Sequence, residues 1–450
     1  MYRDERKKEP TDDSQFSACV VDSTIDQVDD PVSYVFENVG KTTDYIWSFS
    51  VQQSRIGSEE WRFIPEHIHQ ISDKIRNNAT HQIDNIGSVV MGMRPGMNDA
   101  FIIDEKTAKE HEIEQEVLRE CIKGKDIDPF YLPNTDRKVI YTPAISPDKH
   151  PNALDFISQF ENELRDREQF KSRDDMDWWE IEQPVSAEIF DREKLISPSF
   201  SKRNSFAYDD RGVAHVDTVM SILFDKSYDT EEMRYHILGM LNSRSVEIIF
   251  KQSASVYQQR YYRYYQQHIE PLPVVIPDNI QSYDVGEKTK QIVKIKKLFE
   301  KIEKFPNTYL KDYDSEVQYI TYEWQTRRYP VDAEVQENVD GEFTVQAGRS
   351  DTITDPAMYA ADREARKQRA EYVRAAVDGR NVKSGEETTV PIPRSDDGVA
   401  TLLSRLAADR ETVAETSIEE LEAAIDEAVY DLFELSDEER EVVEEYLEVF

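Results

Sequence analysis

Gly92-Met93-Arg94-Pro95-Gly96-Met97-Asn98-Asp99-Ala100-Phe101-Ile102-Ile103-Asp104 is the stretch on which the reading of the fold turns. Two glycines and a proline interrupt an apolar run, an Asn-Asp pair follows, and a β-prone segment ends at Asp104. The pattern predicts a strand, a tight irregular loop and a second strand. Gly92 and Gly96 allow backbone conformations closed to other residues, and Arg94 falls at the loop tip. From 84 to 280, short strand and helix signals alternate without a repeating βαβ period, which predicts an α+β fold.

Outward from this loop the elements are legible by periodicity. Residues 16–21 and 45–51 read as strands. Trp61 opens a helical stretch, 61–77, in which Ile64, Ile68, Ile71 and Ile75 recur near helical spacing. A helix is predicted over 153–169, with Leu154, Ile157, Phe160 and Leu164 on one face. A second is predicted over 287–305 and stopped by Pro306. The span 331–352 reads as loop or a weak hairpin around Asp340-Gly341, 357–377 as a charged helix, and 379–399 as a polar linker with Gly and Pro. Helices near 418–433 and 437–448 close the chain, the last opened by a Ser436/Glu439 capping box. The expected fold is an irregular α+β region flanked by helices, with an acidic helical C-terminal tail.

Composition narrows the class. A chain of 450 residues can bury a sizeable core and hold two to three domains. The hydrophobic fraction is 38%, the mean hydropathy −0.70 and the formal net charge −36. Such acidity implies disorder or a salt-adapted surface, and 23 Tyr, 19 Phe and 5 Trp argue against disorder. The excess is unevenly spread: residues 411–450 sum to −15 and 331–450 to −20, whereas 191–310 sum to +2. In molar salt the Debye length is about 3 Å, so remote carboxylates hardly repel an anionic partner. The same salt weakens the counterion-release contribution to nucleic-acid affinity, leaving base-edge contacts and stacking. Two cysteines, Cys19 and Cys121, make neither a disulfide framework nor a metal spacing. The charged N-terminus has no apolar signal core, and no run reaches 18 apolar residues. A cytoplasmic location and no membrane partner are expected.

Several segments in order resemble one family. They are RECIKGKDIDPFYLPNTDRKVIYT (119–142), KLISPSFSKRNSFAYDDRGVAHVDTV (194–219), HILGMLNS (236–243) and PLPVVIP (271–277), preceded by the 92–104 loop. Together they resemble the TaqI-like C-terminal specificity domain, the target recognition region of type IIG restriction–modification enzymes and adenine-specific DNA methyltransferases. The family loop usually reads Gly-x-x-Thr-Gly-x-Asn; here Pro95 stands at the threonine position. Residues 425–439 resemble the closing segment of many type IIG enzymes. The resemblance implies a layout: 1–60 a connector from a missing catalytic part, 61–280 the DNA target recognition domain, 281–378 a helical and linker region, and 379–450 a linker with the acidic helical tail.

Catalytic motifs of such enzymes are missing from the sequence. There is no glycine loop for S-adenosylmethionine and no Asn/Asp-Pro-Pro-Tyr/Phe clamp for a flipped adenine. Asp128-Pro129-Phe130 has a single proline and reads as a turn. Pro277-Asp278 with Glu287-Lys288-Thr289-Lys290 has the wrong spacing for a nuclease metal site, and His67 and His69 lack a supporting cluster. No catalytic residue and no metal site are expected, and whether the chain is itself an enzyme stays open. S-adenosylmethionine is expected only in a catalytic partner or missing domain.

Three groups could instead contact double-stranded DNA. Arg94 and Asn98 suit guanine and adenine edges, unless Asn98 and Asp99 cap the loop. Lys123, Lys125 and Arg137, with Lys202, Arg203 and Asn204, suit phosphates and base edges. Tyr257, Tyr261, Tyr262, Tyr264 and Tyr265, interleaved with Arg260 and Arg263, suit stacking or a packed helix surface. Lys294, Lys296 and Lys297 belong to a helix with 7 of the chain's 25 lysines, suited to a phosphate backbone or a solvated face. The expectation is a sequence-specific DNA recognition part of a split or truncated, salt-adapted restriction–modification or phage-defence adenine methyltransferase, working with a methyltransferase catalytic subunit or domain. The rivals are an adenine-N6 methyltransferase active only with that partner, and a non-catalytic interaction scaffold.

Overall fold

The computed structural model describes residues 15–21, 25, 27–38, 40–43, 45–52, 63–254, 261–277 and 284–449. Trp61, Tyr257, Arg260 and Asp278 lie outside these. The chain divides into two units, Met1–Lys290 with Glu422–Phe450, and Gln291–Leu421. Both are mixed α+β.

The first unit opens with an antiparallel pair, β1 (Gln15–Val21) and β2 (Ile46–Gln52). The helix Glu66–Asn78 buries Ile68, Ile71 and Ile75 and leads to β3 (His81–Gln82). The core is built from β4 (Gly87–Met91), β5 (Ile102–Asp104), β6 (Leu118–Ile122), β7 (Phe130–Tyr131), β8 (Arg137–Ile140), β9 (Lys194–Pro198), β10 (Phe200–Ser201), β11 (Ala207–Asp209), β12 (Ala214–His215) and β13 (Val219–Phe224). Two sheets result, a five-stranded one in the order β4-β13-β9-β11-β7 and a four-stranded one in the order β12-β6-β8-β5. β14 (Tyr262–Arg263) pairs with β10, and β15 (Pro273–Val274) with β3.

β13, β9 and β11 are the interior strands of the five-stranded sheet, and the sequence of β13 shows why. Val-Met-Ser-Ile-Leu-Phe is a continuous run rather than an alternating one, the pattern of a strand covered on both faces. The helix Glu231–Asn242 is buried from Met233 to Leu241, beneath its Thr230 cap. A Cβ on Gly239 would lie 2.3 Å from Thr289 Oγ1, so this glycine admits the helix Asp284–Glu303. Asn242 then exchanges both amide hydrogen bonds with the Phe206 backbone, and Ser243 caps the helix Arg244–Ser253. The HILGMLNS string is thus a run of packing and capping residues.

Two buried polar pairs fix the interior. Lys194 and Asp209 are both 0% exposed and meet at 2.6 Å. Lys194 also donates to the carbonyl of Phe190, while Asp209 accepts the backbone N–H groups of Arg211, Gly212 and Val213. Burial pulls the Lys194 ammonium below its usual range, and Asp209 opposes that shift. His215 Nε2 lies 2.7 Å from Ser221 Oγ across β12 and β13. Burial, aided by the nearby Lys194 charge, pushes this imidazole down to about 3.

The acidic C-terminus is part of the first unit. Arg244 donates its backbone N–H to Asp426 and pairs with Glu444, Tyr430 donates to Glu444 at 2.6 Å, and Lys74 meets Glu439 at 2.6 Å. Burial raises the Asp426 carboxyl to about 7. The expected capping box forms: Glu439 N–H donates to Ser436 Oγ, and Ser436 N–H to the Glu439 carboxylate.

The second unit pairs β16 (Val317–Glu323) with β20 (Glu387–Pro393) and stacks β17 (Ala333–Glu337), β18 (Phe343–Ala347) and β19 (Asp351–Ile353) into an antiparallel sheet. Trp324, Val345, Tyr372, Ile392 and Leu402 share its core. Several sequence expectations change here. The hairpin expected as one reading of 331–352 forms, β17 and β18 turning at Asn338–Glu342, but 379–399 is no linker: Thr388, Val390 and Ile392 alternate inward along β20. Its prolines misled the reading, yet a two-stranded sheet tolerates them because each strand has a free edge. The expected helix 153–169 is broken into Pro151–Ser158, Glu161–Asp166 and Glu168–Ser172. It breaks where Arg167 turns to bind the carbonyls of Leu164, Trp178 and Glu180. Between β4 and β5 the loop contains a helical turn, Asn98–Phe101.

Removing one partner of a buried charge pair costs about 3–5 kcal/mol. Asp209→Ala is expected to lose that much in urea unfolding; a loss below about 1 kcal/mol would show the pair to be dispensable. His215 supplies a pH dependence. Its folded value lies below the unfolded 6.5, so the unfolded chain takes up a proton that the folded one refuses. Stability is therefore held above pH 6.5 and lost as pH falls toward 3. The advantage of the wild type over His215→Gln is expected to shrink on acidification, at a rate approaching about 1.4 kcal/mol per pH unit. Parallel stability curves for the two proteins would contradict it.

Candidate nucleic-acid interface

The two sheets of the first unit exchange strands at 215–218, where β12 of one runs into β13 of the other. Other segments close on this crossing. Met93 N–H donates to His215 O at 3.0 Å, Asp217 N–H to Met93 O at 2.8 Å, and Gly92 N–H to Val219 O at 2.9 Å. Ser199 N–H donates to Thr218 O at 2.7 Å, and Gly124 N–H to Thr218 Oγ1 at 3.0 Å. A Cβ on Gly92 would sit 2.2 Å from Val216 O, and one on Gly124 2.5 Å from Thr218 O. Both glycines are therefore required by close backbone approach. Gly96 is required by its φ of +81°.

Arg94 stands at this crossing. Its backbone pairs with Gln183 in both directions, at 3.0 and 2.9 Å. Arg167 braces the same loop from behind, donating to Pro95 O at 3.3 Å. The Arg94 guanidinium is 46% exposed and lies 3.4 Å from Asp217 Oδ2. Asn98 is exposed in the first turn of its helix, whose start has no side-chain cap, so it does not close the loop as a cap would.

Lys123 and Lys125 flank Gly124 at the crossing, the first half-buried and the second exposed. Arg137 is engaged by Asp126, whose carboxylate also accepts Lys123 N–H at 2.7 Å. That arginine holds the 123–126 turn.

The β10–β14 ribbon joins two of the sequence candidates that lie sixty residues apart. Phe200 is opposite Arg263, and Ser201 opposite Tyr262. Lys202 lies over the Tyr261 ring at 5.2 Å, and Arg263 near the rings of Phe200 and Tyr265 at 5.9 and 6.0 Å. Lys202 and Arg203 are exposed. Asn204 is 2% exposed, donating to Leu241 O and accepting from Tyr264 Oη. It is a positioning residue, unavailable as a surface contact. Tyr262 and Tyr264 are buried as well. From the core outward, Phe206, Tyr264, Phe250, His268, Tyr265 and Phe200 form a ladder of adjacent rings spaced 3.9–6.5 Å. It ends at Phe200, which is 36% exposed. Arg260 lies outside the described residues.

Lys294, Lys296 and Lys297 fall in the second unit, on the helix Asp284–Glu303. Lys294 and Lys297 are exposed and Lys296 half-buried. On the same helix, or just past it, Lys288, Lys290, Lys301 and Lys304 meet Asp284, Glu231, Asp409 and Glu300. Much of the lysine cluster is thus neutralised within the chain.

Sequence reasoning missed Asp217, Thr218, Ser199 and Phe200. Only Phe200 carried a signal, an aromatic ring two positions before Lys202-Arg203. Among the described residues, no three His, Cys, Asp or Glu side chains group as a metal site, and no helix is long and apolar enough to cross a membrane.

Solved structures similar to this chain include the Type IIL restriction-modification enzyme MmeI in complex with DNA. It is 16% identical with a TM-score of 0.38, over 48% of this chain and 29% of that one. Another is the type IIG restriction endonuclease BpuSI, 12% identical with a TM-score of 0.38, over 61% of this chain and 35% of that one. The matched parts thus span about a third of the length of those enzymes. Residues 119–274, which contribute strands to both central sheets, the 215–218 crossing and the β10–β14 ribbon, match the family model of the TaqI-like C-terminal specificity domain.

Proposed function

We propose that the chain is the DNA target recognition part of a restriction–modification enzyme. The family match over 119–274 carries this reading, because the same residues supply the crossing and ribbon on which the cationic and aromatic candidates converge. Arg94 and Asn98 read base edges in the major groove. Lys125, Lys202 and Arg203 hold phosphates. Phe200, propped by its ring ladder, offers a stacking surface. Chemistry belongs to a methyltransferase domain or subunit that binds S-adenosylmethionine and receives the adenine this chain helps to present. An interaction scaffold with a free acidic tail is the weaker reading, since Asp426, Glu439 and Glu444 are engaged within the first unit. The net charge of −36 supports adaptation of the protein to high salt.

Selection of bound duplexes from a random pool tests the reading. One sequence class is expected to be enriched, and failure to enrich any would favour the scaffold. On the enriched site Arg94→Ala is expected to lose about 1–3 kcal/mol, with little change on random DNA. Lys125→Ala is expected to weaken all sequences alike and reduce the salt slope by about one. Equal weakening of specific and random DNA by Arg94→Ala would make the loop a phosphate clamp. Salt adaptation is tested separately by thermal melts across a KCl series. Self-repulsion at −36 predicts a midpoint that rises with salt, and a flat or falling midpoint rejects the adaptation.

A further inference from the structure

A carboxylate at the centre of a DNA-binding face repels the phosphates that face must approach, and Asp217 is such a group. It is 35% exposed beside Arg94, Gly124 and Ser199. Its position is fixed by backbone bonds, because its N–H donates to Met93 O at 2.8 Å and its carbonyl accepts Ser199 Oγ–H at 3.1 Å. Its carboxylate therefore stands where Arg94 can reach it, 3.4 Å away across the two chain segments.

We propose that Asp217 is an internal competitor for Arg94 that sets the affinity for the recognised site, because the pair must break before the guanidinium reaches a base. This inference rests on the DNA-recognition reading above. Three competitors bind the guanidinium: Asp217, a phosphate and a guanine edge. An exposed ion pair of this kind alters an equilibrium only about two- to fivefold. A single screened phosphate contact is comparable, so random DNA gains little by displacing Asp217. A bidentate guanine contact discriminates about five- to a hundredfold and displaces it. Random sequence thus leaves Arg94 on Asp217, whereas the target draws the guanidinium into the groove and bears the cost of the broken pair.

The full chain carrying Asp217→Asn tests this against the selected duplex and a mixed-sequence duplex. A second variant, Asp217→Ser, covers the chance that one substitution disturbs the crossing; melting midpoints matching the wild type certify both. The expected result is a two- to fivefold gain of affinity for the target, about what loss of an exposed pair releases. Mixed-sequence DNA gains no more than the target, because there the pair need not break. In an Arg94→Ala background the gain is expected to vanish. Equal gains in both backgrounds would reduce Asp217 to a general repulsive charge and overturn the proposal. A loss of target affinity would overturn it too, by making Asp217 itself a reader of a base amino group. If the wild-type chain enriches no sequence at all, it is the DNA-recognition reading that fails. If it enriches one and Asp217→Asn leaves target affinity unchanged, only the present inference fails.

Discussion

The close approach of Gly92 and Gly124 to the 215–218 crossing is the constraint on which the first unit depends. Two sheets share a chain that passes from β12 to β13, and the loops leaving β4 and β6 pack against that passage backbone to backbone. A methyl group at either glycine would fall within 2.5 Å of a carbonyl oxygen. Bare backbone there lets Met93, Asp217 and Thr218 complete their hydrogen bonds, and these bonds bring exposed Arg94 and Lys125 to the crossing. Side chains that could act on DNA are placed by groups with no side chain.

Beneath this junction the framework is polar. Lys194–Asp209 joins β9 to β11 and His215–Ser221 joins β12 to β13, and each uses its hydrogen-bonding capacity locally. Such pairs gain little net stability over an apolar core, because desolvation offsets attraction. Their geometric demands are strict, and a slipped register would leave a buried charge or imidazole without its partner. The β9–β11 register is specified in this way as well as by its apolar side chains.

Acidity is managed by location. The most acidic segment is folded against basic groups of the first unit, where Arg244 and Lys74 receive it. Basic residues are likewise committed: Arg137 to Asp126, Arg119 to Asp191, Arg211 to Glu120. At the β10–β14 ribbon, exposed Lys202 and Arg203 stand with the Tyr261 and Phe200 rings, which suits binding by stacking under screened electrostatics.

The sequence by itself determined the α+β class, the helices near 287–305 and 418–433, the last helix with its Ser436–Glu439 box, and the region of the family match. These are local: a period, a cap or a string of residues is complete within one segment. It also marked Gly92 and Arg94 as notable without saying why. Only the tertiary structure decided that Gly92 faces Val216, that Arg94 meets Asp217, that Asn204 is buried, and that Phe200 ends a ladder of rings reaching the core. It also decided that the Pro-containing 387–393 segment is a strand and that the acidic helices are docked. The physical reason is that these properties belong to pairs of segments. Residues 92 and 216, or 200 and 263, meet only because the strands between them fold into particular sheets, and no periodicity within either segment encodes the identity of its partner.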